Sequence, residues 1–495
     1  MSATSITPEE RLHHLEGHYA DRVMAFRQRL AQVGLGRVLI VLLDIGKNAH
    51  WVTAATAFGL ELVRPRRLPT TQRGLNDFIQ MVDTLIRTHH PHLVILGHEP
   101  TGVYHETWAR TLMNRYQPHL QAQAQPLFEY RFFNPYQVKL ARQQTHLRHR
   151  KSDPGDLAAM FDLALRGLGQ PAFLPSGAEL LIRQEVGFIR AQSRLLGRLE
   201  RQLCQQLDRL WPGAVVNLQQ FKKAHPKLPL PTPVVQTSPL QRKRLRVLLA
   251  HSPNPYHLMA MSDQQILTFF RQHMGRAGPA LLRDLRLWAK NAPLLPPEVA
   301  APLAEQLRRL FLHYLATETL IEEGRGRLMP LIPDTPARHL PAIPGLGNYD
   351  AACYLAGIGS AHRFRRAAEV WAFAGFDPLT DGSGDHPQRA GHISKHGDPA
   401  FRDALYQMGY RVALHYAPLS LTFLDAFHRG QCEVEATIHA AHRLNRICFH
   451  LVQQDEPFQS RATPQMEAEK TRRWQQFRAE KKQRGNRRKR GKRRR

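Results

Sequence analysis

The stretch "RVLIVLLD", Arg37–Asp44, decides how the first third of the chain is read. Six apolar residues in a row form a run too short for an ordinary helix and far too short to span a bilayer. They read instead as a strand buried on both faces, and the strand ends in an acid. "WVTAATAF" (Trp51–Phe58) and "LELVRPRRL" (Leu60–Leu68) follow as two further strands joined by tight turns. Leu75, Phe78, Ile79, Val82, Leu85 and Ile86 then share one helical face. "HLVILGHEP" (His92–Pro100) is a second buried strand, again ending in an acid, Glu99. A helix around Trp108–Tyr116, a strand "LFEYRFF" (Leu127–Phe133) and another helix complete the series. Three strands, helix, strand, helix, strand, helix is the pattern of an α/β layer with a mixed sheet.

The last helix of that series opens with "HRKSDPGDLAAM", His149–Met160. Ser152 or Asp153 can cap it, Pro154 suits its first turn, and Asp156 faces the positive end of the helix dipole. Capping alone would account for both aspartates. Asp44 and Glu99 change that reading, because in an RNase-H-like sheet acids at these points converge on one edge with Asp153 and Asp156. Four converging carboxylates repel unless a cation sits among them. Mg²⁺ (or Mn²⁺) suits an all-oxygen site. Two such ions roughly 4 Å apart could clamp the attacking and leaving oxygens of a phosphodiester.

The chain has 495 residues, enough for two or three domains. Its net charge of +28 and pI of about 10.6 favour a polyanionic partner. From Arg461 to Arg495 there are 16 Lys and Arg against 3 Glu, so residues 457–495 read as a disordered basic tail that holds phosphates without reading sequence. The 27 histidines include no HExxH, and the four cysteines make no CxxC pair. A structural zinc site and a disulfide framework are therefore not expected, and a reducing cytoplasm fits. "MSATSITPEERLHHLEGHYADR" lacks the apolar core of a signal peptide, and residues 1–36 read as a polar helical extension.

Two heptad-like runs lie within residues 175–335. One carries Ile182, Val186, Ile189, Leu196, Leu203, Leu207 and Leu210. The other carries Leu303, Leu307, Leu310, Tyr314, Ile321 and Leu328. They suit either a helical hairpin or coiled coil usable for self-association, or two amphipathic helices on a local core. Between them, residues 215–297 read as an inserted basic, Pro-rich module of short helices with no legible function. Next, "LPAIPGLGNYDAACYLAGIG" (Leu340–Gly359) reads either as a helix-hairpin-helix, with Gly345 and Gly347 offering N–H groups to a phosphate, or as a plain helix-helix turn.

With these motifs the chain resembles the DEDD-type transposases of the insertion-sequence family IS110, relatives of the Piv/MooV invertases. "LDIGKNAH", "GHEPTGVYHETW" and "RHRKSDPGDLAAM" are similar to the family's three acidic motifs, within a RuvC-like domain over residues 37–170. "IPGLGNYDAACYLAGIG", "AGFDPLTDGSG" and "GHISKHGDPAFRDAL" are similar to its IPG, GxxPxxxxSG and ISKxGxxxxR patterns, within a transposase domain over residues 336–456. The resemblance implies a multidomain α/β plus α fold: a RuvC-like (RNase H-like) domain, a helical coiled-coil region, and a mostly helical transposase domain with a helix-hairpin-helix.

It also implies that Asp44, Glu99, Asp153 and Asp156 carry the metal-dependent acidic roles, and that Ser383 in "DGSGD" attacks a DNA phosphate to form a covalent phosphoserine. A structured guide RNA, the so-called bridge RNA, would pair with donor and target DNA. Ser394 is the competing serine, but "ISKHGD" reads better as a phosphate-binding turn, with Lys395 and Arg402 neutralising phosphate. Leu157 stands where the family commonly has alanine, and residues 215–297 and the tail lengthen the chain. The implied protein is a homodimer or homotetramer of the bacterial or archaeal cytoplasm, associated with the nucleoid and not with a membrane. Two rivals remain at this point: a metal-only RuvC-like structure-specific nuclease, and a non-catalytic nucleic-acid-binding protein.

Overall fold

The computed structural model describes residues 23–100, 102–145, 152–236, 239–381 and 389–492. The chain divides into two compact units, Met1–Leu174 and Pro175–Arg495.

The first unit is built on a six-stranded mixed sheet. Helix α1 (residues 23–33) leads into β1 (Val38–Asp44), β2 (Ala49–Thr56) and β3 (Glu61–Pro69), an antiparallel meander. Helix α2 (Gln72–His89), capped by Thr71, crosses to β4 (Leu93–His98), which pairs parallel to β1. Helices α3 (Glu106–Arg115) and α4 (Gln117–Leu120) lead to β5 (Leu127–Phe132), parallel to β4. Helices α5 (Pro135–Thr145) and α6 (Asp153–Leu165) follow, and β6 (Gln170–Pro171) closes the edge, for a strand order of 3-2-1-4-5-6.

β1 is covered on both faces, which is why its sequence is an unbroken apolar run. Leu39, Val41 and Leu43 pack against Phe78 of α2 and Trp108 of α3. Val38, Ile40 and Leu42 pack against Phe26 of α1, Val138 of α5 and Met160 of α6. The result is an α/β/α layer fold of RNase H-like topology.

The second unit is helical. α7 (Gly177–Leu210) ends in an excursion through α8 (Leu218–Ala224), α9 (Lys243–His251), α10 (Pro255–Ala260), α11 (Asp263–Met274) and α12 (Pro279–Asn291) before α13 (Pro297–Leu328) returns. α7 and α13 are antiparallel: Glu185 bonds Arg327 at one end, and Leu203 and Leu207 share a core with Leu303 and Leu307 at the other. Their heptad-like stripes are buried largely against each other within one chain.

Beyond them lie α14 (Asn348–Ile358), α15 (Ala367–Phe373), the hairpin β7 (Pro378–Asp381) and β8 (Arg389–Ile393), then α16 (Pro399–His415), α17 (Ala417–His428), α18 (Glu433–Gln454) and α19 (Pro464–Lys492). α14 is buried from Asp350 to Ile358 and shares a core with Phe401 and Leu405 of α16 and Leu444 and Cys448 of α18. No helix among the described residues is long and apolar enough to cross a membrane.

Two expectations need correction. The segment before the Gly345 turn is a 3-10 helix, Pro336–Ala342, not the first α-helix of a helix-hairpin-helix, because Pro341 lacks the N–H that an α-helical ladder would donate to the Ala337 carbonyl. The basic tail is not without structure either. It continues as α19, whose Trp474 stacks on Phe423 with ring centroids 5.4 Å apart, and whose Phe477 is buried against Phe423 and Phe427. Arg473 pairs with Asp425 and Lys481 with Glu433. The tail's high charge masks two aromatic residues set three apart, on one helical face.

Removing both rings should cost several kcal/mol of docking, about 3 kcal/mol from the buried Phe477 and less from the half-buried Trp474, and raise the opening of α19 more than about 100-fold. Trypsin should then cut the Trp474→Ala/Phe477→Ala variant rapidly at Arg472, Arg473 and Arg478 while leaving the sheet unit intact. Cleavage there at the parent's rate would show that the two rings do not hold the helix.

Candidate functional site

The parallel pairing of β1 with β4 ends with Leu43 opposite His98. The next residues, Asp44 and Glu99, therefore leave neighbouring strands at the same level, with backbones about 4.8 Å apart. Alternation puts both on the face that α5 and α6 cover, since Leu42 and Ile95 point into that core while Leu43 and Leu96 point into the other. Gly97 lies on the same face, and a Cβ there would stand 2.4 Å from the Phe133 ring, so only glycine admits that packing.

α6 brings the other two acids. Ser152 caps it by accepting from the Gly155 N–H, and Pro154 sits in the first turn. A chain of contacts fixes the start of α6 to the same end of the sheet. Asp44 pairs across the ladder with Trp51, the Arg67 guanidinium lies 4.8 Å from the Trp51 ring, and Arg67 reaches Asp153 at 3.8 Å. Asp156 is buried and bonded to Arg142 of α5. The well-capped start of α6 thus lies towards the same end of the sheet as Asp44, through Trp51 and Arg67.

The acids are not gathered into a closed cage. Among the described residues, no three His, Cys, Asp or Glu side chains are placed to hold a metal ion. The α6 carboxylates are instead engaged by Arg67 and Arg142. Asp44 and Glu99 close adjacent strands, and Asp153 and Asp156 open the helix on the face they share; all four are oxygen donors of the kind a hard divalent cation takes, with Arg67 and Arg142 now paired to the α6 acids. Sequence reading missed both arginines, because 14 residues separate Arg142 from Asp156 and 86 separate Arg67 from Asp153.

It also missed two buried histidines under the strand ends. His50 is fully buried and accepts from the Gly46 N–H. His98 is 1% exposed, with Nδ1 3.1 Å from the Glu99 carbonyl oxygen. Burial pushes the His50 imidazole down to about 4 and that of His98 to about 3, opposed at His98 by its contact with the Glu99 carbonyl. Both are neutral at physiological pH, leaving the carboxylates as the charged groups. The signal was present in the quoted "GHEP", where a histidine precedes the acid.

In the second unit, Ser383 lies outside the described residues, between β7 and β8. The hairpin base is described. Ser394 is buried, donates its hydroxyl to Asp377 at 2.6 Å and accepts from the His396 N–H. Lys395 has φ +57°, its N–H bonded to the Gly375 carbonyl. Arg402 donates to the Ala374 carbonyl at 3.0 Å. Arg402 thus ties one loop to the other, a structural job that the phosphate reading did not foresee.

Gly345 takes φ +97° and packs against the Arg411 carbonyl, where a Cβ would come within 2.9 Å. The Gly347 N–H donates to Asp350, which also holds Arg411. One of the two N–H groups expected to face a phosphate is therefore occupied by a carboxylate.

Two family models match the chain. One, described as "Transposase IS116/IS110/IS902 family", matches residues 337–424 and spans the Ser383 segment. The other, a DEDD-type transposase model, matches residues 41–212 and contains all four acids. Together they cover just over half of the chain. No curated protein matches it.

Two outcomes are expected. Below pH 6.5 an unfolded chain takes up protons that the buried, neutral His50 and His98 refuse, so stability falls as pH drops towards 4. Each histidine should cost about 2 kcal/mol between pH 7 and 5. Urea unfolding in a chelator should show that loss, and His98→Leu should flatten it by about one histidine's share; equal pH dependence in parent and variant would contradict the burial. Ser394→Ala should destabilise the second unit by about 1–2 kcal/mol through the lost bond to Asp377. An unchanged midpoint would show that the bond does not secure the hairpin base.

Proposed function

Because this chain is a DEDD transposase of the IS110 family, we propose that it cuts and rejoins DNA with two cooperating parts, the strand-end acids and Ser383. The observation that carries this reading is the placement of Asp44 and Glu99 on adjacent parallel strands, with Asp153 and Asp156 opening the helix packed on the same face.

Asp44, Glu99, Asp153 and Asp156 would hold a divalent cation, Mg²⁺ or Mn²⁺, which when bound supplies charge neutralisation to the phosphodiester. Ser383 provides the nucleophile. Its Oγ forms a bond to phosphorus, one P–O bond to deoxyribose breaks, and the hydroxyl proton passes to a base. The released sugar hydroxyl keeps its proton balance by taking one from solvent or from a side chain. Attack of a second strand's hydroxyl on the phosphoserine then reverses the bond changes, so rejoining needs no external energy. A serine hydroxyl is a weak nucleophile and requires such a base or cation.

A structured guide RNA is the second nucleic-acid partner in this reading, supported by a net charge of +28 that exceeds the needs of one short contact. Two DNA duplexes with two strands each call for more than one copy of the chain, a homodimer or homotetramer. A bacterial or archaeal cytoplasm, close to the nucleoid, is where such a protein would meet its DNA.

Peptide mapping of the DNA-linked protein after nuclease digestion tests the serine. A nucleotide on the peptide containing Ser383, and total loss of adduct and cleavage in Ser383→Ala with DNA binding retained, are the expected results. A nucleotide on Ser394 or on a tyrosine would overturn the assignment. Metal-dependent cleavage with no adduct at all would favour a metal-only nuclease. Asp156→Asn keeps side-chain size but removes the buried charge paired with Arg142, so it should abolish cleavage and lower stability, and its fold is checked by circular dichroism; wild-type recombination by this variant would refute the acidic site.

A further inference from the structure

The connection between α7 and α13 is far longer than joining two antiparallel helices requires, for which 2–5 residues suffice. It is also well folded. Trp211 and Trp288 stack with centroids 4.5 Å apart, and their indole N–H groups donate to the Pro253 and Pro212 carbonyls. Leu245, Phe270 and Leu285 complete a core shared with the far halves of α7 and α13.

Its charge is one-sided. Trp211–Pro297 holds twelve Lys and Arg against two Asp. Both aspartates are taken by arginines of the same segment: Asp263 by Arg286, and Asp284 by Arg244 and Arg283. Arg246 is held by Glu318 of α13. Among the described residues this leaves a set of exposed cations with no carboxylate: Lys222, Lys223 and Lys227 around the end of α8, Lys243 at the start of α9, Arg271 and Arg276 at the end of α11, and Lys290 at the end of α12. A helix C-terminus welcomes a cation or two. Seven uncompensated cations on one small folded body exceed that need and match a polyanion.

We propose that this helical excursion, Trp211–Pro297, is a phosphodiester-binding module that grips the backbone of a nucleic acid without reading its sequence. Lys243, Arg271 and Lys290 ride on helices whose apolar faces form its core, so their positions are set by the fold. The inference rests on the chain's nucleic-acid chemistry but not on Ser383 or the acids, so it can fail while the transposase reading stands.

Lysine acetylation footprinting of the full-length protein tests it on the unaltered fold. Addition of a 40-base-pair random-sequence duplex, or of a hairpin RNA of similar length, should slow acetylation of Lys222, Lys223, Lys227, Lys243 and Lys290 at least threefold. Protection by one ligand alone names DNA or RNA as the source of phosphate. A companion variant with all seven cations changed to Gln, of parental helical content, should lose at least about 2.5 from the log–log salt slope on the protecting ligand if that is duplex DNA, at about 0.9 per contact. Affinity would then change about 30-fold less than the parent's between 50 and 200 mM salt. Unprotected lysines with either ligand, or a salt slope equal to the parent's, would overturn the proposal.

Discussion

The register of β1 on β4 is the constraint on which the rest depends. Leu43 opposite His98 places Asp44 beside Glu99 and aims both at the face covered by α5 and α6. A slip of one residue would turn one acid into the opposite core. That register is protected by the double burial of β1, whose alternate residues fill two separate cores. Stability and site geometry are thus the same contacts read in two ways.

Charge balance is the second theme. The first unit holds carboxylates at one sheet end with Arg67 and Arg142 as their present partners, and the neighbouring imidazoles are kept neutral by burial. In the proposed reading a divalent cation shares that balancing role when DNA is engaged. In the second unit the balance runs the other way. Several acids there are held by arginines, such as Asp350 by Arg411 and Asp425 by Arg473, while many cations stay exposed.

The strands and their terminal acids were legible because burial on both faces writes an apolar run, and because the cap at Ser152 and the proline at Pro154 mark a helix start. Those signals are local. Arg142 and Arg67 were not legible, since their partners are set by the packing of α5 and by the meander's register, which no local pattern encodes. The α19 helix was misread for a different reason: its net charge overrode Trp474 and Phe477, whose value appears only when α17 offers Phe423 and Phe427. Before Gly345 the glycine spacing suggests a pair of α-helices, but the prolines at 341 and 344 permit only a 3-10 turn. The heptad-like stripes left two options open, and α7 and α13 fill their seam within the chain.

In the proposed reading, four acids far apart in sequence serve one metal site at one end of one sheet. Replacing the divalent ion with Fe²⁺ in the presence of ascorbate and peroxide, then mapping backbone cuts by mass spectrometry, tests it most directly. Radicals formed at a bound iron cut only nearby peptide, so cuts should cluster at the three segments around Asp44, Glu99 and Asp153–Asp156, and should vanish with excess Mg²⁺. Cuts confined to one of these segments, or concentrated elsewhere in the chain, would contradict a shared site.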